Sequence, residues 1–500
     1  MVENINDLMM GLSVVIQPYN LMVVVVGLIL GIIVGVLPGL GGANGVAILI
    51  PVVVTMPATS GMIFLSMIYW GALYGGSITS ILFNIPGEPW AVAATFDGYP
   101  MAKGGRPGKA LVLAFLAHGV GAIVGVVVLT FFAPILAEFA LRFGPAEVFA
   151  VMMLTFSAFV GLSGKSPLKT VTAILFGFIL ASVGMDIVSG QLRMTYGTAV
   201  LMGGFHFIVA VIGLFGLGEI FLTVEEGLKV EGIKVRIGLK DIWDGMKDII
   251  RYPKALIMGT LIGIWMGFKP GGATPASFMA YGFVKQASAN AAEFGTGVSP
   301  GIIAPEAAAH AAGTSATIPM ITLGIPGSPT MAVIMGGLMI FGLQPGPMLF
   351  VEHKDFVWGL IASCWMGNII GFFLVMAFAP IFAAVLRVRF AIFMPLIIYV
   401  CAIGAYAVNN RVIDVYYMLL FGVLGYLFKK LDYPIAPMVL ALVLGDMAEQ
   451  SMRQALIIGH GSPLVFFTLP LALPLMIAAI IIFFWPVIGP WKAKLFAKKA

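Results

Sequence analysis

Charge is scarce in this chain. Of its 500 residues only 10% are Asp, Glu, Lys or Arg, against 60% hydrophobic. A soluble domain of this size could not clothe its surface with so few charges. Cysteine is nearly absent as well. Cys364 and Cys401 both lie in apolar stretches, which excludes a disulfide framework and a thiolate metal site. The five histidines (His118, His206, His310, His353 and His460) have no zinc-ligand spacing. No Gly-x-Ser-x-Gly, His-Glu-x-x-His or phosphate-binding glycine loop occurs. Hydrolase, metalloprotease and ATPase chemistry lose their usual marks, so uphill work would draw on an ion gradient. The first 30 residues do not read as a cleaved signal, because Glu3 and Asp7 stand where basic residues are usual and no small-x-small site follows. The net charge of +5 is no nucleic-acid signal; the basic residues bear on topology instead.

What is abundant is apolar sequence of membrane-spanning length, for example from Ala110 to Pro134 and from Leu464 to Val487. It is punctuated twice in the same way. Gly35-x-x-Pro38-Gly39 precedes Ile85-Pro86-Gly87, and Gly267-x-x-Pro270-Gly271 precedes Ile325-Pro326-Gly327. Further pairs keep the same order: Asp7-x-x-x-Gly11 with Asp241-x-x-x-Gly245, Gly121-x-x-x-Gly125 with Gly367-x-x-x-Gly371, Ala133-Pro134 with Ala379-Pro380, Leu175-Phe176-Gly177 with Leu420-Phe421-Gly422, and Gly218-Glu219 with Gly445-Asp446. The offset grows from 232 (Pro38 to Pro270) through 240 (Pro86 to Pro326) to 246 (Gly121 to Gly367), as a duplication with small insertions would produce.

The pattern predicts an all-α polytopic membrane protein made of two repeats, 1–230 and 231–500. Each opens with an amphipathic stretch (Asp7 to Ile16; Lys240 to Arg251) suited to the membrane interface. A re-entrant hairpin follows, its tip at 38–44 or 270–277, and then a transmembrane helix broken at 84–89 or 324–330. Four ordinary spans complete each repeat, and an extra C-terminal span over 464–487 brings the expectation to about eleven. Five crossings per repeat is odd, so the second repeat is expected to enter the membrane upside down, an inverted-topology repeat. With the N-terminus outside, 20 of the 27 Lys and Arg residues fall in inside loops, including seven from Lys229 to Lys254. Only Arg142, Arg193, Lys354, Arg411 and Arg453 fall outside, as the positive-inside rule demands.

Broken helices expose unpaired N–H groups at one stub and unpaired C=O groups at the other. The first attracts anions and the second suits Na⁺. The two tips and two breaks carry neutral polar residues beside their glycines. The expected anion contacts are therefore Asn44, Ser77, Asn84, Thr274, Ser277, Ser328 and Thr330, with Pro86 and the backbone N–H groups of Gly42, Gly87 and Gly327. The expected ion contacts are Gly39, Gly41, Gly271 and Gly324, together with Glu88, which lies inside the first break. Isolated glycines and prolines in membrane helices commonly serve packing alone; four duplicated clusters argue for a site. Other charges have competing readings. Lys269 is able to meet a substrate carboxylate or to snorkel. Glu306 is able to bind a cation or simply to favour a helix start. Asp97 suits a capping or turn role at a span end.

The chain resembles the large membrane subunit of the bacterial tripartite tricarboxylate transporters. The likeness rests on GVLPGLGGANGVAILIP (Gly35 to Pro51), YGGSITSILFNIPGEP (Tyr74 to Pro89), DGYP (Asp97 to Pro100), Phe294-Gly295, IAPE (Ile303 to Glu306), LGIPGSP (Leu323 to Pro329), LQPGP (Leu343 to Pro347) and GDMAEQSMRQA (Gly445 to Ala455). It runs over nearly the whole chain. It implies uptake of an organic carboxylate, citrate-like by default, coupled to Na⁺ or H⁺ in the bacterial inner membrane. It also implies a small membrane subunit and a periplasmic binding protein as partners, with no organic cofactor, no nucleic acid and no enzymatic activity. Two positions depart from the pattern: Ala309-His310 stand where similar proteins tend to have an Asn pair, and Thr274 where an Asp is common. The rival readings are a carrier of another di- or monocarboxylate, a self-sufficient anion carrier, a channel and an intramembrane enzyme. No charge ring or carbonyl filter supports the channel. No paired nucleophile and base supports the enzyme.

Overall fold

A computed structural model describes residues 2–37, 40–162, 166–186, 189–226, 233, 235–269, 272–385 and 390–497. Its first part comprises Val2–Val15 (α1), Pro18–Val36 (α2), Gly41–Val53 (α3), Ala58–Phe83 (α4), Val92–Lys103 (α5), Pro107–Ala140 (α6), Pro145–Leu162 (α7), Pro167–Ala181 (α8), Phe207–Val211 (α9) and Gly218–Glu226 (α10). The second comprises Leu239–Arg251 (α11), Pro253–Gly267 (α12), Ala273–Ala287 (α13), Pro300–Ser315 (α14), Thr317–Leu323 (α15), Pro329–Ile340 (α16), Met348–Glu352 (α17), Lys354–Val385 (α18), Phe390–Asn409 (α19), Val412–Lys430 (α20), Ile435–Ile458 (α21), Val465–Thr468 (α22) and Ala472–Ala497 (α23). A two-stranded ladder pairs Gly184–Met185 (β1) with Leu192–Arg193 (β2). The protein is an all-α polytopic membrane protein.

Glycine spacing explains how the helices meet. On α2, Gly27, Gly31 and Gly35 repeat every four residues and press against the backbone of α4 at Phe64, Ile68 and Ala72. On α12, Gly259, Gly263 and Gly267 press against Ala304, Ala308 and Ala312 in α14 and its neighbourhood. The second glycine set lies 232 positions beyond the first and its partners 240 beyond theirs, the same offsets that relate the Pro-Gly motifs. In lipid no hydrophobic force drives helices together, so small residues that allow close backbone approach take over.

Packing between the two parts is reciprocal. Gly121 of α6 abuts Ala307 of α14, while Gly367 of α18 abuts Met67 of α4. Gly11 of α1 meets Trp358 and Ala362 on α18, while Gly245 of α11 meets Val112 and Leu116 on α6. Ion pairs add to both docked amphipathic helices, Asp7–Lys354 at 2.9 Å and Lys109–Asp248 at 2.6 Å. The broken helices α4 and α14 thus form the centre, and α6 and α18 clamp them from the opposite part. Large apolar side chains such as Ile135, Phe373, Ile381 and Phe484 point outward, as a lipid-facing shell does.

Helix length and composition alone do not fix the number of spans. Among the described residues seven helices are long and apolar enough to cross, or eight if α11 and α12 count as one. That pair bends by 78°, as an interfacial helix turning into a hairpin arm does. Other apolar elements are short: α3 has 13 residues, about 20 Å of helix, and cannot cross a core of about 30 Å. The final helix α23 starts at Ala472, because Pro470 holds Leu469 extended and removes an N–H.

Candidate functional site

Both breaks are ended by a left-handed residue. Asn84 (φ 56°) caps α4 and Gly324 (φ 69°) caps α15, a common way for a helix to stop. The chain then runs through Pro-Gly before restarting at Pro89 and Pro329. Gly87 and Gly327 are required there by close approach. A Cβ at either would meet a hairpin-arm carbonyl, that of Gly35 or of Gly267. The breaks are therefore pressed against the ends of the two hairpin arms.

Between them lies a cavity of about 430 Å³. Its wall includes Gly41, Ala43 and Asn44 from the first turn of α3, Ala273 and Thr274 from that of α13, and Ser328, Pro329 and Thr330 from that of α16. Pro86, Gly87, Glu88, Pro89 and Trp90 complete it from the first break, with Tyr69 from α4 and Glu219 from α10. Three helix N-termini converge on this space, each the positive end of a helix dipole.

The two breaks meet the helix N-termini differently. Ser328 Oγ accepts the Met331 N–H at 3.1 Å and caps its own helix. Glu88, at the matching position of the motif, has a longer side chain that reaches across. Its carboxylate accepts the Gly42 N–H at the start of α3. Asn44 Nδ2 lies 3.4 Å from Glu219, whose carboxylate is ion-paired with Lys429 of α20.

Eight of the residues expected from sequence line this one cavity: Gly41, Asn44, Pro86, Gly87, Glu88, Thr274, Ser328 and Thr330. Others do not reach its wall. Gly42 is committed to Glu88, and Asn84 is an exposed cap. Ser77 donates to Glu306 at 2.9 Å, and Ser277 donates to the Pro305 carbonyl at 3.0 Å, tying α13 to α14. Gly324 serves as the helix cap described above, and Gly327 presses against Ala316 and the Gly267 carbonyl. Gly39 and Gly271, with Pro38 and Pro270, lie outside the described residues.

The competing readings of the other charges separate clearly. Lys269 is exposed and sits 4.3 Å from the Trp265 ring centre, a cation–π contact rather than a cavity position. Asp97 accepts N–H bonds from Gly295, Gly297 and Val298 at 2.8–2.9 Å and the Tyr281 hydroxyl at 3.0 Å. It therefore clasps the loop before α14. Glu306 contacts His118 and Ser77 and stands off the cavity wall. Sequence reasoning missed Glu219, Tyr69 and Trp90 as cavity residues. Glu219 did carry a signal, the repeated Gly218-Glu219 and Gly445-Asp446, and in the fold it follows a π-helical segment, Ile212–Leu217, of the kind often found at functional sites.

A half-open cavity at paired helix breaks, lined by several polar side chains and surrounded by apolar helices, marks a multi-pass membrane protein with the form of a transporter. The chain belongs to the tripartite tricarboxylate transporter TctA family, whose model matches residues 21–440. It is thus a tricarboxylate-transporter-type membrane component. It is 36% identical over 504 residues, spanning all of both chains, to an uncharacterized 52.8 kDa protein in the TAR-I ttuC' 3' region of Agrobacterium vitis. It is 38% identical over 218 residues to an uncharacterized protein in the TAR-II ttuC' 3' region of the same organism, covering 44% of this chain and 89% of that one. No solved structure matches it.

Proposed function

We propose that the protein is a secondary active transporter that imports an organic carboxylate, citrate-like by default, on a Na⁺ or H⁺ gradient. It acts as the permease subunit of a tripartite system in the bacterial inner membrane, with a small membrane subunit and a periplasmic binding protein that delivers substrate. The N-terminus is periplasmic, the C-terminus cytoplasmic, and the two halves are inverted repeats.

The observation that carries this reading is the single cavity shared by both helix breaks and both hairpin helices. Its volume falls in the range of small-molecule sites, roughly 300–1,000 Å³. Asn44, Thr274, Ser328 and Thr330 offer neutral donors, and three helix N-termini offer partial positive charge. Such a site holds an anion without burying a fixed cation, and it can let the anion go. Glu88 and Glu219 at first oppose an anionic substrate. Lys429 neutralises Glu219, and a coupling cation at Glu88 removes the remaining repulsion. Substrate and cation then enter together, which is the electrostatic basis of symport. Alternating access follows as an elevator-like movement of the hairpin-bearing unit against the remaining helices.

The test is uptake of labelled citrate into proteoliposomes, with and without a Na⁺ or pH gradient, with the two partner proteins present. Gradient-dependent accumulation is the expected result. Equal uptake by this chain alone would favour the self-sufficient carrier, and ion currents without accumulation would favour a channel.

A further inference from the structure

Behind the cavity wall lies a second polar group of side chains. Glu306 of α14 is 1% exposed and His118 of α6 is fully buried, and Glu306 Oε2 is in contact with His118 Nε2. Ser77 of α4 donates to the same carboxylate oxygen at 2.9 Å. His310, one helical turn beyond Glu306, stacks on His118 with ring centres 4.0 Å apart and on Tyr74 at 4.4 Å. Four atoms of this group have no hydrogen-bond partner among the described residues: Glu306 Oε1, His118 Nδ1 and both ring nitrogens of His310. Buried polar atoms are normally paired, so four orphans in one place call for a ligand or a function.

The geometry points to a proton-binding site, separate from the substrate cavity, whose occupancy is coupled to transport; this rests on the transport reading above. A hydrogen bond between Nε2 and Oε2 places one proton between the two groups. With that proton on a neutral His118, the pair carries one negative charge, the Glu306 carboxylate. A second proton taken from water makes the pair neutral, and it has two places to bind: Glu306 Oε1 or His118 Nδ1. These are the two unpartnered atoms of the pair. Release of that proton restores the charge, so each cycle moves one proton and no other atom. His310, with both nitrogens unpartnered against His118, is placed to pass it on. The unpartnered atoms are two imidazole nitrogens of His310, one of His118 and one carboxylate oxygen, a set that takes up a proton directly.

The surroundings isolate the pair from other charges. The elements packed on α14 are chiefly α4, α5, α6, α12 and α13. From α4 the groups facing it are Ser77 and Tyr74, and from α6 His118. Asp97 on α5 is committed to the loop before α14 and to Tyr281 of α13. Lys254 of α12 and Lys285 of α13 are exposed. A charge on Glu306 therefore has no fixed counter-charge, and its gain or loss is felt strongly by the packing around it. Trp90 links the pair to the cavity. It lines the cavity and packs edge-on against His118, ring centres 5.9 Å apart.

Infrared difference spectroscopy of the purified protein in liposomes, titrated from about pH 5 to about pH 8, tests this without any substrate. The expected result is a carboxylic-acid band that fades as pH rises, is missing in Glu306→Gln, and shifts its midpoint in His310→Asn. A titrating band unchanged by both variants would overturn the proposal, as would the absence of any titrating band in the wild type. In the transport assay, an acid-outside gradient should accelerate labelled citrate uptake several-fold, and Glu306→Gln should lose that acceleration. Wild-type uptake driven by Na⁺ and indifferent to the pH gradient would leave the transporter reading intact and remove the proton site. Absence of any carboxylate uptake would fall on the transporter reading, and the spectroscopic titration would still decide whether the proton binds.

Discussion

Asp97 offers a quantitative test of how the two parts are held together. It is fully buried, and its carboxylate accepts three backbone N–H groups and one hydroxyl across the α5–α14 boundary. Hydrogen bonds to a charged acceptor contribute about 1.5–3 kcal/mol each, so four give a gross value near 6–12 kcal/mol by that measure. The net cost of Asp97→Ala is smaller, because Gly295 is exposed and its N–H finds water. The N–H of Gly297, which is buried, and that of Val298, which is half-buried, do not hydrate easily, and each orphan costs about 1–3 kcal/mol. A loss of about 4 kcal/mol follows. For a 500-residue chain melting as one unit that is a fall of about 4 °C in the melting midpoint. Asp97→Asn keeps a carbonyl oxygen for the N–H groups at roughly half the strength, so its fall should be about half as large. A thiol-reactive fluorophore can read both, since Cys364 and Cys401 are buried and become reactive on unfolding. Coincident melting of Asp97→Ala and wild type, or a larger fall for Asn than for Ala, would refute the clasp.

Two further predictions concern the cavity. Asn44→Ala should abolish carboxylate uptake while leaving membrane insertion and the melting midpoint within about 1 °C; normal uptake by a well-expressed variant would remove Asn44 from the site. Lys429→Met leaves Glu219 unpaired beside the cavity and should weaken substrate affinity at least about tenfold, roughly 1.4 kcal/mol. The double variant with Glu219→Gln should recover most of that loss, because removing both members of a pair costs less than removing one. A double-mutant cycle with no coupling between the two positions would show that the pair does not govern the cavity's charge.

The architecture is legible in the sequence where backbone chemistry decides it. Proline and glycine interrupt helices for reasons that do not depend on partners, so the hairpins and breaks stand out in the chain itself, and the cavity forms where they meet. Span count is less legible, since short buried helices such as α3 carry the same apolar composition as full spans. Side-chain roles are the least legible. Asn84 reads as an amide ligand, yet its counterpart is Gly324, and a Gly/Asn pair at matched helix ends is the signature of a left-handed cap. Ser77 lies close to the break in sequence but faces α14, because its direction on α4 depends on helical phase over several turns. Glu219 enters the cavity only through tertiary packing, and nothing near it in the chain announces Lys429.

One place where the duplicated motif departs from itself bears on the cavity's polarity. Ile-Pro-Gly-Ser-Pro is self-sufficient: Ser328 satisfies the N–H of its own helix, leaving the N-terminus of α13 facing the cavity without a carboxylate of its own. Ile-Pro-Gly-Glu-Pro is not, because the Glu88 side chain overreaches its own helix and binds the N-terminus of α3. Among the described residues one break therefore leaves a helix end without a carboxylate, and the other meets a helix end that carries one. Under the transport proposal an anion is drawn to the former and a cation to the latter. A symmetric pair of breaks would offer two equivalent anion sites and no preference for a cation. Under the transport proposal, the single difference between Glu88 and Ser328 is what gives the cavity a cation side beside its anion side.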